Sequence, residues 1–279
     1  MPSELGPLLA MTSNPVQSQV EYVVGGLHLA GADREAAAQL IADTAMTIAC
    51  GASPALGRWR GRRDGGPAAG GAAGKAVSTF VGLAFGNPAH PANEDHVQGH
   101  VAELVWNLLI RERLVTSDGR RLVKAHSVKA DPLEPGGDGL VIYLDPGDVL
   151  VFRLWEIKKH VAQAVVSGTI NRASKQLADR GAVYLAKLAA PETMLESGAL
   201  GELYANLVEY WFDRSERAGV GVAVGTSDTH APSSHRSFGS LNTAFPEFTR
   251  VGQTEAIVIA LPDFPAFADR VKEIMWSGL

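Results

Sequence analysis

Apolar and polar positions along this chain change period several times, and the most informative change lies between Asp138 and Lys158. Leu140–Leu144 and Val149–Trp155 are apolar runs, the second broken only by Arg153, and Asp145-Pro146-Gly147-Asp148 between them is a run of turn formers. The pattern predicts two strands paired through a tight turn. Side chains alternate along a strand, so Glu156 and Lys158 share one face and Ile157 takes the other. Pairing through the turn brings Asp138, at the start of the first strand, close to Glu156 at the end of the second.

Helical periodicity surrounds this hairpin. From His96 to Arg113, Val97, Val101, Leu104, Val105, Leu108 and Leu109 fall on one side, and Glu103 lies within the same helix. A second helix, from about Val161 to Leu188, carries Gln176 and Tyr184. Upstream, Val20–Leu29 reads as a strand, Asp33–Ile48 as a helix with an acid-rich first turn, Gly51–Gly74 as a Gly/Ala/Arg-rich loop or linker, and Val77–Phe85 as a strand. Downstream come a helix over Ala199–Arg217, buried strands at Val220–Val224 and Ala256–Leu261, and a closing helix reaching Trp276. Between those strands, Thr226–Arg250 reads as a long loop without a core role, ordered by function or by a partner. The Pro/Asn-rich stretch Asn87–Asn93 suggests a boundary. The expected organisation is α/β, with a smaller amino-terminal α/β region over 1–90 and a larger domain over 91–279.

Composition narrows the classes. The chain has 279 residues, long enough for a substantial core, and 46% hydrophobic residues, which excludes a disordered protein. The lone Cys50 permits no intramolecular disulfide and no cysteine zinc cluster, and is expected in the core. With no signal-peptide pattern at Met1-Pro-Ser-Glu and no long apolar run, the expected location is cytoplasmic, with no membrane span. A net charge of −5 disfavours strong intrinsic binding to nucleic acid. Six basic residues against two acids over Arg111–Ala130, and again over Glu156–Lys187, nevertheless place positive charge on either side of the hairpin, while Pro191–Arg217 is acidic.

Two carboxylates and an ammonium at one spot are the groups that metal-assisted phosphodiester hydrolysis requires: hard oxygen ligands and a cation beside the attacking water. The order helix with Glu103, strand with Asp138, strand with Glu156-Ile157-Lys158, helix with Gln176 and Tyr184 resembles the PD-(D/E)XK, or restriction-endonuclease-like, nuclease superfamily. The chain departs from that pattern at Gly137, where proline is usual although Pro135 is near, and in the longer Gln176-to-Tyr184 spacing. The resemblance covers about residues 93–190 and implies a mixed central sheet flanked by helices. It implies Mg²⁺ or Mn²⁺ bound by Asp138, Glu156 and the Ile157 carbonyl, with Glu103 as a ligand directly or through water. Lys158 would serve the attacking water, and Gln176 would position water or phosphate. The segment Leu154-Trp155-Glu156-Ile157-Lys158 with its following Ala- and Gln-rich helix is further similar to the HamA-type nuclease subunit of Hachiman antiphage defence. That similarity implies DNA as substrate and a helicase-like partner.

Competing constellations are less complete. His96 and His100, four apart on a helix with Glu103, offer a zinc-hydrolase site, although neither arrangement of the metalloprotease motif is present. Gly70–Lys75 is not a phosphate loop, because Ala69 and Ala76 occupy positions that need Gly and Ser/Thr. Asp228, His230 and His235 lack a Gly-x-Ser-x-Gly elbow. A nuclease-like fold used only for binding or assembly is the remaining alternative, and an intact acid/acid/lysine set argues against it.

Overall fold

The computed structural model describes residues 4–13, 20–131, 133, 137–161 and 165–279, so that Pro135 lies outside the described residues. In chain order the elements are α1 (Gly6–Leu9), β1 (Thr12–Ser13), β2 (Glu21–Gly25), α2 (Gly31–Cys50), α3 (Ala55–Arg63), α4 (Gly71–Phe85), a small ribbon of β3 (Gly86–Asn87) and β4 (His90–Pro91), α5 (Glu94–Glu112), β5 (Arg121–Ala125), β6 (Gly139–Leu144), β7 (Leu150–His160), α6 (Ser167–Leu195), α7 (Gly198–Phe212), β8 (Val220–Ser227), α8 (Gly239–Ala244), β9 (Thr254–Leu261) and α9 (Phe264–Ser277).

Seven strands form one mixed sheet in the order β1-β2-β9-β8-β7-β6-β5. The inner strands β2, β9, β8 and β7 run parallel, and β6 and β5 continue antiparallel. Both faces are covered, which is why β8 and β9 read as continuous apolar runs rather than alternating ones. Trp155, Ile157, Ala223 and Ile257 point to the layer built by α2, α3, α4, α5 and α9. Leu154, Val222, Val224 and Val258 point to the layer of α6, α7 and α8. The mixed α/β architecture therefore matches the sequence reading. Among the described residues no helix is long and apolar enough to cross a membrane.

Residues before and after the expected boundary contribute to the same structure. β2 hydrogen-bonds to β9 in parallel register, and Ile41 and Met46 of α2 share one core layer with Val271 and Met275 of α9. The stretch 87–93 is the β3–β4 ribbon leading into α5, whose first turn is capped by Asn93 Oδ1 accepting the Asp95 N–H at 2.8 Å.

Three expectations are corrected. The 51–74 stretch is not a plain linker: it contains α3, whose Trp59 is fully buried and donates from Nε1 to the Met275 carbonyl at 2.9 Å. Arg60 and Arg63 of that helix pair with Asp43 on α2. Val77–Phe85 is not a strand but the body of α4. Its buried positions Val77, Val81, Ala84 and Phe85 follow the i, i+4, i+7, i+8 spacing of a helix face, which overrides the β-branched and aromatic content. The 226–250 segment does have a core role. It folds into two short 3₁₀ turns and α8, with Phe238, Leu241, Phe245 and Phe248 buried beneath α6 and α7.

Candidate active site

The hairpin forms as its pattern predicts. Asp145 Oδ1 accepts the main-chain N–H groups of Gly147 and Val149, both at 2.9 Å, and Asp148 adopts the left-handed conformation that closes the turn. Register then runs from Leu144 opposite Leu150 to Gly139 opposite Trp155. One step further, Asp138 stands beside Glu156.

Two glycines allow the chain to enter β6 here. A side chain at Gly139 would sit 2.0 Å from the Trp106 ring of α5, and one at Gly137 would sit 2.9 Å from Cβ of Tyr184 on α6. Asp138 thus enters the sheet through a gap between helices from opposite layers. Gly137, at the position where the superfamily pattern has proline, is required by this close approach. The paired glycines around an acid were the sequence signal that periodicity alone did not use.

Asp138 Oδ2 accepts the Ile157 main-chain N–H at 2.8 Å. The N–H and C=O of one strand residue point to the same edge, so the Ile157 carbonyl also opens towards Asp138. Phe152 and Leu154 donate to Arg217 and Gly219 on the other edge, which fixes this alternation. Glu156 is fully buried, and the Lys158 ammonium bonds its Oε1 while lying 4.0 Å from Asp138 Oδ2. Lys158 remains about a third exposed, so the group opens to solvent on its side.

Electrostatics mark this as a costly arrangement. Burial, with the like charges of Glu156 and Glu103, pushes the Asp138 carboxyl well above the ordinary carboxylate range, against the pull of Lys158 and the Ile157 N–H. Burial likewise raises Glu156, and Lys158 only partly offsets it. Burial disfavours the Lys158 charge, but the carboxylates of Glu156 and Asp138 outweigh it and hold the ammonium above its usual value. Glu156 Oε2 is buried and meets no hydrogen-bond donor among the described residues; Asp138 bridges to Glu156 only when one of the pair holds a proton. Fully ionised, three carboxylates face one ammonium.

The expected residues divide accordingly. Asp138, Glu156, Lys158 and the Ile157 main chain are brought together. Glu103, one helical turn before Trp106, lies close enough for its charge to raise both acids. Gln176 is one step removed: its Nε2 donates to the Tyr184 hydroxyl at 2.8 Å, and Tyr184 packs against Gly137. Among the described residues no three His, Cys, Asp or Glu side chains are gathered closely enough to hold a metal ion. That count bears differently on the two candidate metals. Zinc needs three or four protein ligands, and here His96 is exposed while the buried His100 Nδ1 lies 3.9 Å from Glu103. Mg²⁺ keeps several waters and is commonly held by one or two carboxylates. Asp138, Glu156 and a main-chain carbonyl, with one carboxylate oxygen lacking a donor, fit the second requirement.

The basic residues near the hairpin are largely used internally. Arg120 is buried against Glu255 and Asp118, Arg113 also pairs with Glu255, and Lys124 is held between Glu192 and Glu196. Lys159 pairs with Asp95 on α5. Much of the positive charge of the 111–130 stretch is therefore taken up internally, whereas Arg172, Lys175, Arg180 and Lys187 of α6 are exposed. Comparison of the chain with protein-family models, curated proteins and solved structures finds no match.

Proposed function

We propose that this protein is a metal-dependent nuclease that hydrolyses phosphodiester bonds of DNA, with its reaction centre at Asp138, Glu156 and Lys158. One observation carries the reading. A fully buried glutamate with an oxygen that meets no donor among the described residues stands beside a second acid and a solvent-open lysine at the mouth of a hairpin. Folding alone gives no reason for such a group, since clustered carboxylates repel one another and lose hydration.

In this reading Asp138, Glu156 and the Ile157 carbonyl hold Mg²⁺ or Mn²⁺, with Glu103 contributing directly or through water. A bound ion would supply Lewis-acid and water-activating chemistry there. Lys158 places its ammonium where water approaches and where negative charge builds in the transition state. Gln176 acts through Tyr184, which fixes the chain at Gly137. The products are a 5′-phosphate and a 3′-hydroxyl. Because the net charge is −5 and several basic side chains are paired internally, DNA capture falls to a partner, a helicase-like protein in an antiphage defence setting.

The test is a titration of Mg²⁺, Mn²⁺ and Ca²⁺ into the protein with labelled duplex and single-stranded DNA. Mg²⁺ and Mn²⁺ are expected to support cleavage and Ca²⁺ to bind without turnover. Full activity in EDTA overturns the reading.

A further inference from the structure

His100 lies on α5 one turn before Glu103, and it is a buried histidine with an unmet hydrogen-bonding atom. The residue is 2% exposed, and its Nδ1 has no hydrogen-bond partner among the described residues. The ring is held edge-on to Phe85, with centroids 5.7 Å apart and planes at 62°. Phe85 is itself buried, so the imidazole packs within the core layer. The nearest charged atom is Glu103 Oε2 at 3.9 Å, too far for a hydrogen bond and within reach of a small side-chain rotation. A buried donor left unmade costs stability, and a structural histidine would ordinarily meet its partner.

We infer that His100 is a positioning residue for Glu103. One Glu103 oxygen accepts a hydrogen bond from His100 Nδ1–H, and the other is turned towards Asp138 and Glu156. A carboxylate offers two oxygens, so the two roles do not compete. His100 stands one turn away on the same helix, 3.9 Å from the half-buried Glu103 carboxylate. This inference rests on the nuclease reading of the site. It also gives His100 a part distinct from zinc binding, since its ring nitrogen serves a carboxylate rather than a metal. Groups that orient ligating carboxylates or histidines typically change metal affinity by about 10–100-fold when removed.

The experiment measures binding of Mn²⁺ alone to the full-length protein by calorimetry, with circular dichroism as a check on folding. His100→Phe keeps a ring against Phe85 and removes the donor; His100→Asn loses the ring and keeps a donor near the Nδ1 position. A positioning role predicts that His100→Phe weakens Mn²⁺ binding about tenfold or more while His100→Asn stays near the wild type. It also predicts no further loss when His100→Phe is added to Glu103→Ala, because the acceptor that His100 orients is already gone. A merely structural role gives the reverse order, with Asn worse than Phe, and overturns the inference. So does equal loss from His100→Phe in both Glu103 backgrounds. A Mn²⁺ site that requires Glu156 but is indifferent to His100→Phe overturns this inference alone, whereas one that survives Glu156→Ala overturns the nuclease reading as well.

Discussion

The carboxylate of Asp138 accepts the main-chain N–H of Ile157 at 2.8 Å, and this bond links the two strands of the candidate site. It satisfies an N–H that β6 is too short to reach, and it places the acid of one strand beside Glu156 and Lys158 of the next. The same bond favours the ionised acid, while burial and two neighbouring carboxylates oppose it more strongly.

That balance gives a pH-dependent stability. A carboxyl whose folded pKa is raised contributes most below its unfolded value and loses that contribution as pH rises through the folded one. Asp138→Asn keeps an oxygen for the Ile157 N–H and removes the charge. In EDTA the variant should therefore melt above the wild type at about pH 8, with the gap closing as pH falls towards about 4. A gap that does not change with pH would show that Asp138 is not the group under strain.

At the opposite end of β7, Arg153 is buried with its pKa lowered to about 10 by burial and the nearby Arg120, partly offset by Glu255. Glu255 lies 2.6 Å from Arg120, 3.4 Å from Arg113 and 3.8 Å from Arg153. Removing the charge common to three arginines leaves the buried Arg153 without its carboxylate and takes one of two from Arg120, which keeps Asp118, and from Arg113, which keeps Glu21. Glu255→Gln should cost about 3 kcal/mol in urea unfolding, in line with broken buried ion pairs. A loss below about 1 kcal/mol would mean that the arginines find other partners.

Two aromatic anchors test the parts of the chain that read as loops. Trp59→Ala in α3 and Phe245→Ala beside α8 each empty a fully buried site. Each should lower unfolding free energy by about 3–5 kcal/mol. Near-neutral effects would return those segments to the role of surface connections.

These segments show where the sequence was legible. The hairpin was readable because its two runs, its turn and its acids lie within about twenty consecutive residues, and strand alternation alone sets Glu156 and Lys158 on one face. α3 is hidden because its one large core anchor, Trp59, sits among arginines whose partners are distant in sequence. α4 reads as a short strand in sequence, but its buried positions Val77, Val81, Ala84 and Phe85 have helical spacing. In the 226–250 segment, Phe238, Phe245 and Phe248 were visible, but nothing local says that they close over α6 and α7. Long-range packing also decided the site itself: the glycines at 137 and 139 are explained only by Tyr184 and Trp106 from other elements.

The charge argument yields a binding prediction. With its net charge of −5 and with Arg120, Lys124 and Lys159 engaged in ion pairs, the isolated chain should bind DNA at micromolar affinity or weaker at physiological salt. Fluorescence anisotropy with labelled duplex and single strands measures this directly. Nanomolar binding by the chain alone would remove the need for a partner.

The most direct test of the central claim is the rate of Mg²⁺-dependent DNA cleavage by wild type, Glu156→Gln and Lys158→Ala, purified in parallel and shown by circular dichroism to be folded. Loss of the buried ligand or of the ammonium beside the attacking water should reduce the rate at least about a hundredfold in each variant. Cleavage at the wild-type rate by both folded variants would contradict the assignment.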